Sequence, residues 1–204
     1  MKLKLLSDED CANATEYVLD LNRKKLLTSE GPHRFSEENK HTKRLYMDPL
    51  FCALALQMQP LLEEGHGVKL YPTYTFTRLY LPGYTMHPHI DRPACELSSS
   101  LTIGYGGRSH PWELYIEDDD ENEVEYILEP GEGLLYRGQD YHHWRYPLDR
   151  GWQIQTFVHY IEIGGKVHEQ ILESNPDFDT DVLFQDFTFR KGEFHSTGKL
   201  NAGL

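Results

Sequence analysis

The sequence is poor in cysteine and has no long apolar run. Three cysteines occur in 204 residues; they are widely spaced, odd in number and form no Cys-x-x-Cys pair: Cys11, Cys52 and Cys95. This pattern favours free thiols in a reducing compartment. No segment is long and apolar enough to predict a membrane span, and the first residues, MKLKLLSDED, lack the apolar core of a signal peptide. The expected location is therefore the cytoplasm, with no membrane partner.

Basic charge is scarce as well. Twenty Lys and Arg residues stand against 33 Asp and Glu residues, which gives a net charge of -13. A protein that binds a phosphate backbone needs a basic surface, so nucleic acid is not expected as a partner. The remaining composition, 39% hydrophobic and 12% aromatic, is typical of a globular chain long enough to bury one core.

The hydrophobic pattern divides one predicted domain into three parts. Residues 1–68 predict supporting helices, one from the Ser7 cap to about Lys25 and one from Asp48 to about Glu64, with a polar loop at 29–44. Residues 69–163 predict short strands separated by turns, and residues 164–204 predict a short helix near 167–173 followed by a mixed tail. The strands are expected at 69–80, 98–105, 112–116, 124–128, 133–136, 142–146 and 153–163. This order predicts a mainly β (α+β) barrel or sandwich behind N-terminal helices.

The segment with the clearest chemistry is His89-Ile90-Asp91. Side chains alternate along an extended chain, so the imidazole of His89 and the carboxylate of Asp91 point the same way. A distant histidine would complete two imidazoles and one carboxylate on one face of an octahedron, a set that suits non-haem Fe(II). A His-x-Asp pair alone is weak evidence, because such pairs are common by chance.

The surrounding motifs strengthen this interpretation. A Tyr80-Leu81-Pro82-Gly83 turn precedes the pair, and a Glu129-Pro130-Gly131 turn leads through an apolar strand to His142-His143-Trp144-Arg145. In this order the chain resembles the 2-oxoglutarate/Fe(II)-dependent dioxygenases, small prolyl-hydroxylase-like branch, over roughly residues 70 to 162. The resemblance implies a double-stranded β-helix of the jelly roll/cupin-like type.

The resemblance also implies iron ligands at His89, Asp91 and His143. His142 is the competing candidate for the third ligand, because only one of two adjacent histidines in a strand can face the metal. The His-Trp-Arg run favours His143.

The co-substrate anchor departs from the family pattern. The resemblance implies a Lys or Arg on the last strand, but Gln153 stands at the matching position. Arg145, two residues after His143, should project to the same side and could bind a carboxylate with two parallel hydrogen bonds. Arg78 is the second choice; it shares strand parity with Tyr80, which matches a family tyrosine that contacts the same carboxylate. A surface charge or a structural ion pair is the alternative role for each arginine.

The resemblance implies Fe(II), 2-oxoglutarate and O2 as cofactor and co-substrates, with ascorbate as a stimulatory reductant. The implied reaction hydroxylates an unactivated C–H bond of an amino-acid-like small molecule or a peptidyl residue and releases succinate and CO2. Asp91 favours hydroxylation over halogenation, although desaturation or ring formation would use the same ligands. Two alternatives stay open: a cupin-type metalloenzyme that does not use 2-oxoglutarate, which Gln153 supports, and a non-catalytic ligand-binding jelly roll.

Other charged and aromatic residues have simpler expected roles. Arg92 and Glu96 are predicted to form an ion pair that fixes the loop beside the metal motif, with contact to the substrate as the alternative, and His159 is expected in the core or behind the metal ligands. The acidic run 117–123 predicts a solvated hairpin tip, because it lacks the ligand spacing of a calcium loop. Three histidines in polar stretches are expected to be exposed: His33, His41 and His66.

Overall fold

The computed structural model describes residues 1–29 and 40–199. Its helices are α1 (Asp8–Arg23), α2 (Pro49–His66) and α3 (Lys166–Ser174). Its strands are β1 (Lys2–Lys4), β2 (Thr42–Tyr46), β3 (Leu70–Tyr80), β4 (Met86–His89), β5 (Leu97–Gly106), β6 (Leu114–Glu117), β7 (Glu123–Tyr126), β8 (Glu132–Tyr136), β9 (His143–Arg145), β10 (Trp152–Glu162), β11 (Gln185–Arg190) and β12 (Glu193–Lys199).

Two antiparallel sheets form the centre of the molecule. The larger sheet has the order β1-β8-β5-β10-β3-β2, and the smaller one has the order β4-β9-β6-β7. Consecutive strands thus alternate between the two sheets in part of the chain, as they do when a jelly roll is wound. The predicted mainly β, double-stranded β-helix architecture is confirmed.

The two N-terminal helices begin and end at the residues that the sequence favours. Ser7 caps α1 by accepting a hydrogen bond from the Asp10 amide at 3.0 Å, and Asp48 caps α2 by accepting one from the Leu50 amide at 3.0 Å. α2 ends at Gly67, whose φ of 82° is left-handed, a conformation that costs glycine little. Both helices pack their buried residues against one face of the large sheet, so its other face is free to line a site.

The alternation of side chains along each strand decides which of them reach that inner face. On β3, Leu79 joins the helix-covered core, whereas Tyr74, Phe76 and Arg78 line a cavity on the opposite face. β10 shows the same alternation, with Val158 in the helix-covered core and Phe157 lining the cavity. The period of two that predicted these strands therefore also positions the site.

Several elements differ from the sequence-based expectation. The predicted loop at 29–44 gives way at Thr42 to β2, which pairs with β3 from Thr42–Tyr80 to Tyr46–Phe76. The predicted mixed tail contains the hairpin β11–β12. Aromatic residues of this hairpin join a separate apolar cluster with α3 and residues of β3 and β10: Tyr71, Ala94, Ile161, Val167, Ile171, Phe178, Phe187 and Phe194. None of the helices in the described ranges is long and apolar enough to cross a lipid bilayer.

Candidate metal and co-substrate site

The smaller sheet brings the three predicted metal ligands together. β4 pairs with β9 so that His89 lies opposite His143, and Asp91 follows two residues after His89. One ligand atom from each of the three side chains lies within 4.8 Å of the others. His143 Nε2 is 3.7 Å from Asp91 Oδ1, and the two imidazole centroids are 4.3 Å apart. The arrangement gives two imidazoles and one carboxylate room to share one small ion.

Backbone hydrogen bonds orient both imidazoles. His89 Nδ1 is 2.8 Å from the His87 carbonyl oxygen, and His143 Nδ1 is 3.1 Å from the Tyr141 carbonyl oxygen. A carbonyl accepts only from a protonated nitrogen, so each Nε2 carries the lone pair that a metal needs. Burial lowers the pKa of His143, which favours the same neutral, metal-binding form.

The carboxylate of Asp91 is held from two sides. Ser98 Oγ donates to Asp91 Oδ2 at 2.6 Å and lies 2.9 Å from His159 Nδ1. The Asp91 amide donates to the Gly138 carbonyl at 2.7 Å. A Cβ at Gly138 would lie 2.0 Å from Asp91 Oδ2, so only glycine leaves space for the carboxylate here. These contacts fix Oδ2 and leave Oδ1 directed at His143.

His142 immediately precedes β9, and its side chain points away from His89 and Asp91. Its side chain is exposed and its Nδ1 is 3.0 Å from Glu117 Oε2, whereas His143 is buried. Of the two adjacent histidines, His143 is the one that the structure brings beside Asp91.

A cavity of about 550 Å³ opens above the three ligand candidates. Tyrosine and phenylalanine side chains from β3, the turn before β4, β8 and β10 form part of its wall: Tyr74, Phe76, Tyr80, Tyr84, Tyr136 and Phe157. His87 lines this cavity too. The volume lies within the range of small-molecule sites.

Arg145 lies deep inside the barrel, with 1% of its surface exposed. Its Nη1 donates to the Trp112 carbonyl, and its guanidinium carbon lies 5.0 Å from the centroid of a Trp112 ring. Its Nε and Nη2 have no hydrogen-bond partner among the described residues, an arrangement that costs free energy unless a ligand supplies an acceptor. Burial lowers the pKa of Arg145 to about 10, so the guanidinium still carries its charge at neutral pH. A carboxylate is the ligand group that fits two free donors on one guanidinium.

Gln153 is fully buried and its polar atoms are already engaged. Its Oε1 accepts from the Trp112 amide at 2.6 Å, and its Nε2 donates to Gln155 Oε1 at 2.9 Å. Gln155 in turn donates to Ser100 Oγ at 2.9 Å. The position that the family resemblance assigns to a cation therefore belongs to an amide network that supports the wall beside Arg145.

The other two candidates for the co-substrate site lie on β3. Tyr80 is buried, with its ring 5.2 Å from a ring of Trp112, and lies in the same aromatic cluster as Tyr84. Arg78 lines the cavity and donates to the Tyr84 hydroxyl at 2.6 Å. The guanidinium carbon of Arg78 lies 5.9 Å from the centroid of the Tyr80 ring, and Tyr80 and Arg145 both pack against Trp112.

The predicted ion pair between Arg92 and Glu96 is wrong. Arg92 donates to Asp186 Oδ1 at 2.8 Å and to the Phe187 carbonyl at 2.8 Å, while Glu96 accepts from the Glu162 amide at 2.9 Å. The C-terminal hairpin supplies a partner 94 residues away, which local sequence could not reveal.

Two of the expected exposed histidines, His41 and His66, are instead partly buried. His66 lies 3.0 Å from Glu162, and His33 lies outside the described residues.

Sequence reasoning missed several residues that shape the site. Ser98 and Gly138 hold Asp91, Tyr136 packs its ring 5.0 Å from that of His143, and Trp112 carries the backbone oxygen that orients Arg145. Strand parity was the one available signal: Ser98 and Ser100 alternate on the inner face of β5. His159, expected in the core or behind the ligands, is buried, and burial lowers its pKa to about 4.

Comparison with known proteins adds a structural likeness alone. No family model matches the chain, and no curated protein matches it. Among solved structures, a Pseudomonas putida prolyl-4-hydroxylase is similar at a TM-score of 0.63 and 16% identity, with 79% of this chain and 92% of that chain covered.

Two further solved structures are similar. A Trichoplax adhaerens prolyl hydroxylase in complex with a hypoxia inducible factor peptide has a TM-score of 0.60 and 12% identity, covering 83% and 85% of the two chains. The non-haem α-ketoglutarate-dependent epimerase SnoN from nogalamycin biosynthesis has a TM-score of 0.61 and 12% identity, covering 79% and 76%. At these identities the likeness establishes the shared fold, and function must be argued from the site.

Proposed function

We propose that this protein is an Fe(II)- and 2-oxoglutarate-dependent oxygenase that hydroxylates an unactivated C–H bond and releases succinate and CO2. The carrying observation is the combination of the three clustered ligand atoms with a buried guanidinium that has two unpartnered donors. Two imidazoles and one carboxylate suit Fe(II) and leave coordination positions open. The free donors of Arg145 suit the distal carboxylate of a diacid.

The spacing along β9 supports this pairing of metal and anion sites. Arg145 follows His143 by two residues, which at about 3.3 Å per residue separates their backbones by about 6.6 Å. A five-carbon diacid that chelates the metal at one end can span this distance to the guanidinium. In the proposal, Arg145 binds the distal carboxylate and Tyr80 lies beside it.

Each residue of the site has a binding or orienting role. His89, Asp91 and His143 would hold Fe(II), which with bound 2-oxoglutarate supplies the activation of O2 for C–H oxidation. Ser98 keeps one carboxylate oxygen of Asp91 turned away from the metal. Arg145 itself is buried, and the low dielectric around a buried group strengthens its attraction to an anion.

The test is O2-dependent succinate formation from 2-oxoglutarate with Fe(II) and ascorbate, measured with a panel of amino acids and peptides. We expect His89→Ala and His143→Ala to reduce it at least 100-fold, because each removes one of three metal ligands. His142→Ala is the matched control and should keep wild-type turnover, since His142 faces Glu117 and solvent. Equal turnover in wild type and His143→Ala would refute the proposed metal site.

A cupin-type metalloenzyme that does not use 2-oxoglutarate is the second candidate. The uncharged Gln153 at the family's anchor position favours it, because the usual cation is missing from β10. Calorimetric titration of 2-oxoglutarate into the Ni(II)-loaded protein separates the two. Binding that Arg145→Gln weakens supports the oxygenase, whereas metal binding without 2-oxoglutarate binding supports the cupin-type enzyme. Failure to bind metal at all would favour a non-catalytic ligand-binding jelly roll.

A cytoplasmic location forms part of the proposal. Cys11, Cys52 and Cys95 are all buried free thiols in the structure, a state that a reducing compartment preserves. The proposed substrates are amino-acid-like small molecules or peptidyl residues.

A further inference from the structure

The cavity is lined by one guanidinium, that of Arg78, for which the described residues supply no carboxylate partner. Arg78 projects from β3 into the same cavity that His89 and Asp91 line. Its Nη1 donates to the Tyr84 hydroxyl at 2.6 Å. Its guanidinium carbon lies 4.7 Å from the ring centroid of Phe76 and 5.8 Å from that of Tyr84. The aromatic rings hold the guanidinium in place but supply no negative charge.

The described acidic residues at and beside the cavity have roles or partners other than Arg78. Among the described residues that line the cavity, Asp91 is the one with a carboxylate, and Asp91 lies among the proposed iron ligands. Arg92, the other arginine at the cavity, is paired with Asp186 at 2.8 Å. Within the described part of the chain, Arg78 forms no ion pair. A partly buried charge in this state favours binding of an anion from solution.

That anion is not the co-substrate under the proposed function. 2-Oxoglutarate has two carboxylates, of which one chelates the metal and the other pairs with Arg145. Arg145 lies on β9 and is buried against Trp112, whereas Arg78 lies on β3, lines the cavity and is partly exposed. Under the proposed function, neither carboxylate of 2-oxoglutarate is therefore left to pair with Arg78.

We propose that Arg78 binds a carboxylate of the prime substrate, which is then a small carboxylic acid with an apolar body. The inference rests on the proposed function and names the substrate class of the same site. Phe76 beside Arg78 and Phe157 on β10 offer an apolar surface next to the guanidinium. A cavity of about 550 Å³ holds a molecule of amino-acid size together with the co-substrate.

The test measures binding to the Ni(II)-loaded protein with saturating 2-oxoglutarate, by calorimetry. The probes are matched pairs of a carboxylic acid and its carboxamide: proline, leucine, phenylalanine and 3-phenylpropionate. In wild type we expect at least one acid to bind at least tenfold more tightly than its amide. Arg78→Gln should abolish that preference, and Arg78→Lys should retain part of it because it keeps the charge but not the planar fork. Arg150→Gln is the control, since Arg150 is exposed and outside the cavity.

Other results would overturn the inference. If no acid in the panel binds more tightly than its amide, Arg78 does not select a carboxylate. If Arg78→Gln raises the Kd of 2-oxoglutarate tenfold and keeps the acid preference, Arg78 serves the co-substrate. Failure of the proposed function looks different: 2-oxoglutarate then does not bind wild type, or binds Arg145→Gln as well as wild type. The circular dichroism spectrum and Tm of each Arg78 variant verify that it folds.

Discussion

At the residue scale, the proposed metal site depends on one hydroxyl. Ser98 Oγ donates to Asp91 Oδ2 at 2.6 Å and fixes the orientation of that carboxylate. Ser98→Ala should therefore weaken metal binding about 10- to 100-fold, as loss of hydrogen bonds to metal ligands does in other sites. Titration with Ni(II) or Mn(II) measures this change in Kd.

Ser99 provides the matched control for this prediction. It is as buried as Ser98, but its side chain points to the other face of β5, and within the described part of the chain its hydroxyl has no hydrogen-bond partner. Ser99→Ala should leave metal affinity unchanged. Equal losses of affinity in the two variants would mean that the effect comes from β5 packing and not from the bond to Asp91.

The buried guanidinium of Arg145 should make the ligand-free protein less stable than a variant with an apolar side chain at this position. Its guanidinium is buried with two unpartnered donors, and replacing such a group by an apolar side chain of similar length is often neutral or stabilising. We expect Arg145→Met to raise the Kd of 2-oxoglutarate at least 30-fold while the Tm of the ligand-free protein stays equal or rises. A clear fall in Tm would instead indicate that Arg145 has a structural role through Trp112.

Strand parity was enough to predict which side chains lie together, whereas their role as iron ligands stays a prediction. The separation of two residues between His89 and Asp91 was enough to infer a shared direction, and the structure brings His143 beside them. The prediction for Arg92 was wrong because its partner, Asp186, comes from a hairpin 94 residues away. Such long-range pairs leave no local pattern, since neither residue type nor spacing records them.

At the element scale, the strands predicted between residues 69 and 163 include the short β7 and β9, whereas β1, β2 and the hairpin β11–β12 were missed. β3 and β10 are long and rich in β-branched and aromatic residues, so their period of two is visible in the sequence. β1 has three residues and β2 lies at a sheet edge beside β3, where pairing with a neighbour decides its conformation. The hairpin β11–β12 is exposed on much of one face, so its apolar signal is weak.

The C-terminal hairpin should stabilise the segment that follows β4. Asp186 on β11 pairs with Arg92 at 2.8 Å and accepts from the Tyr46 hydroxyl at 2.6 Å. The Arg92 side chain is 36% exposed, so water screens the ion pair and makes it weaker than a fully buried one. We expect Asp186→Asn to lower the free energy of unfolding by about 1–3 kcal/mol.

A double-mutant cycle with Arg92→Met tests this coupling by denaturant unfolding. The double variant should lose less free energy of unfolding than the sum of the two single variants, because one contact is counted in both. Additive losses would show that Arg92 and Asp186 act independently and that the hairpin is held by its apolar cluster alone.

At the scale of the whole molecule, the site and the fold are linked by mass action. The metal candidates come from β4, the turn after it and β9, so a bound ion ties together segments that separate when the barrel opens. A ligand that binds the folded state alone stabilises it by about 2.7 kcal/mol at 100 times its Kd. For a chain of this size, each kcal/mol raises Tm by about 2–4 °C. Saturating Mn(II) with 2-oxoglutarate should therefore raise Tm by about 5–11 °C.

The variants of the adjacent histidines make this whole-molecule prediction specific. His143→Ala should lose most of the ligand-induced rise in Tm, because the barrel then offers two metal ligands in place of three. His142→Ala should keep the rise, since its side chain lies outside the barrel against Glu117. Thermal unfolding of both variants with Mn(II) alone, and then with 2-oxoglutarate, separates the metal from the co-substrate contribution. A rise of equal size in His143→Ala would place the ligand elsewhere in the molecule and contradict the proposed site.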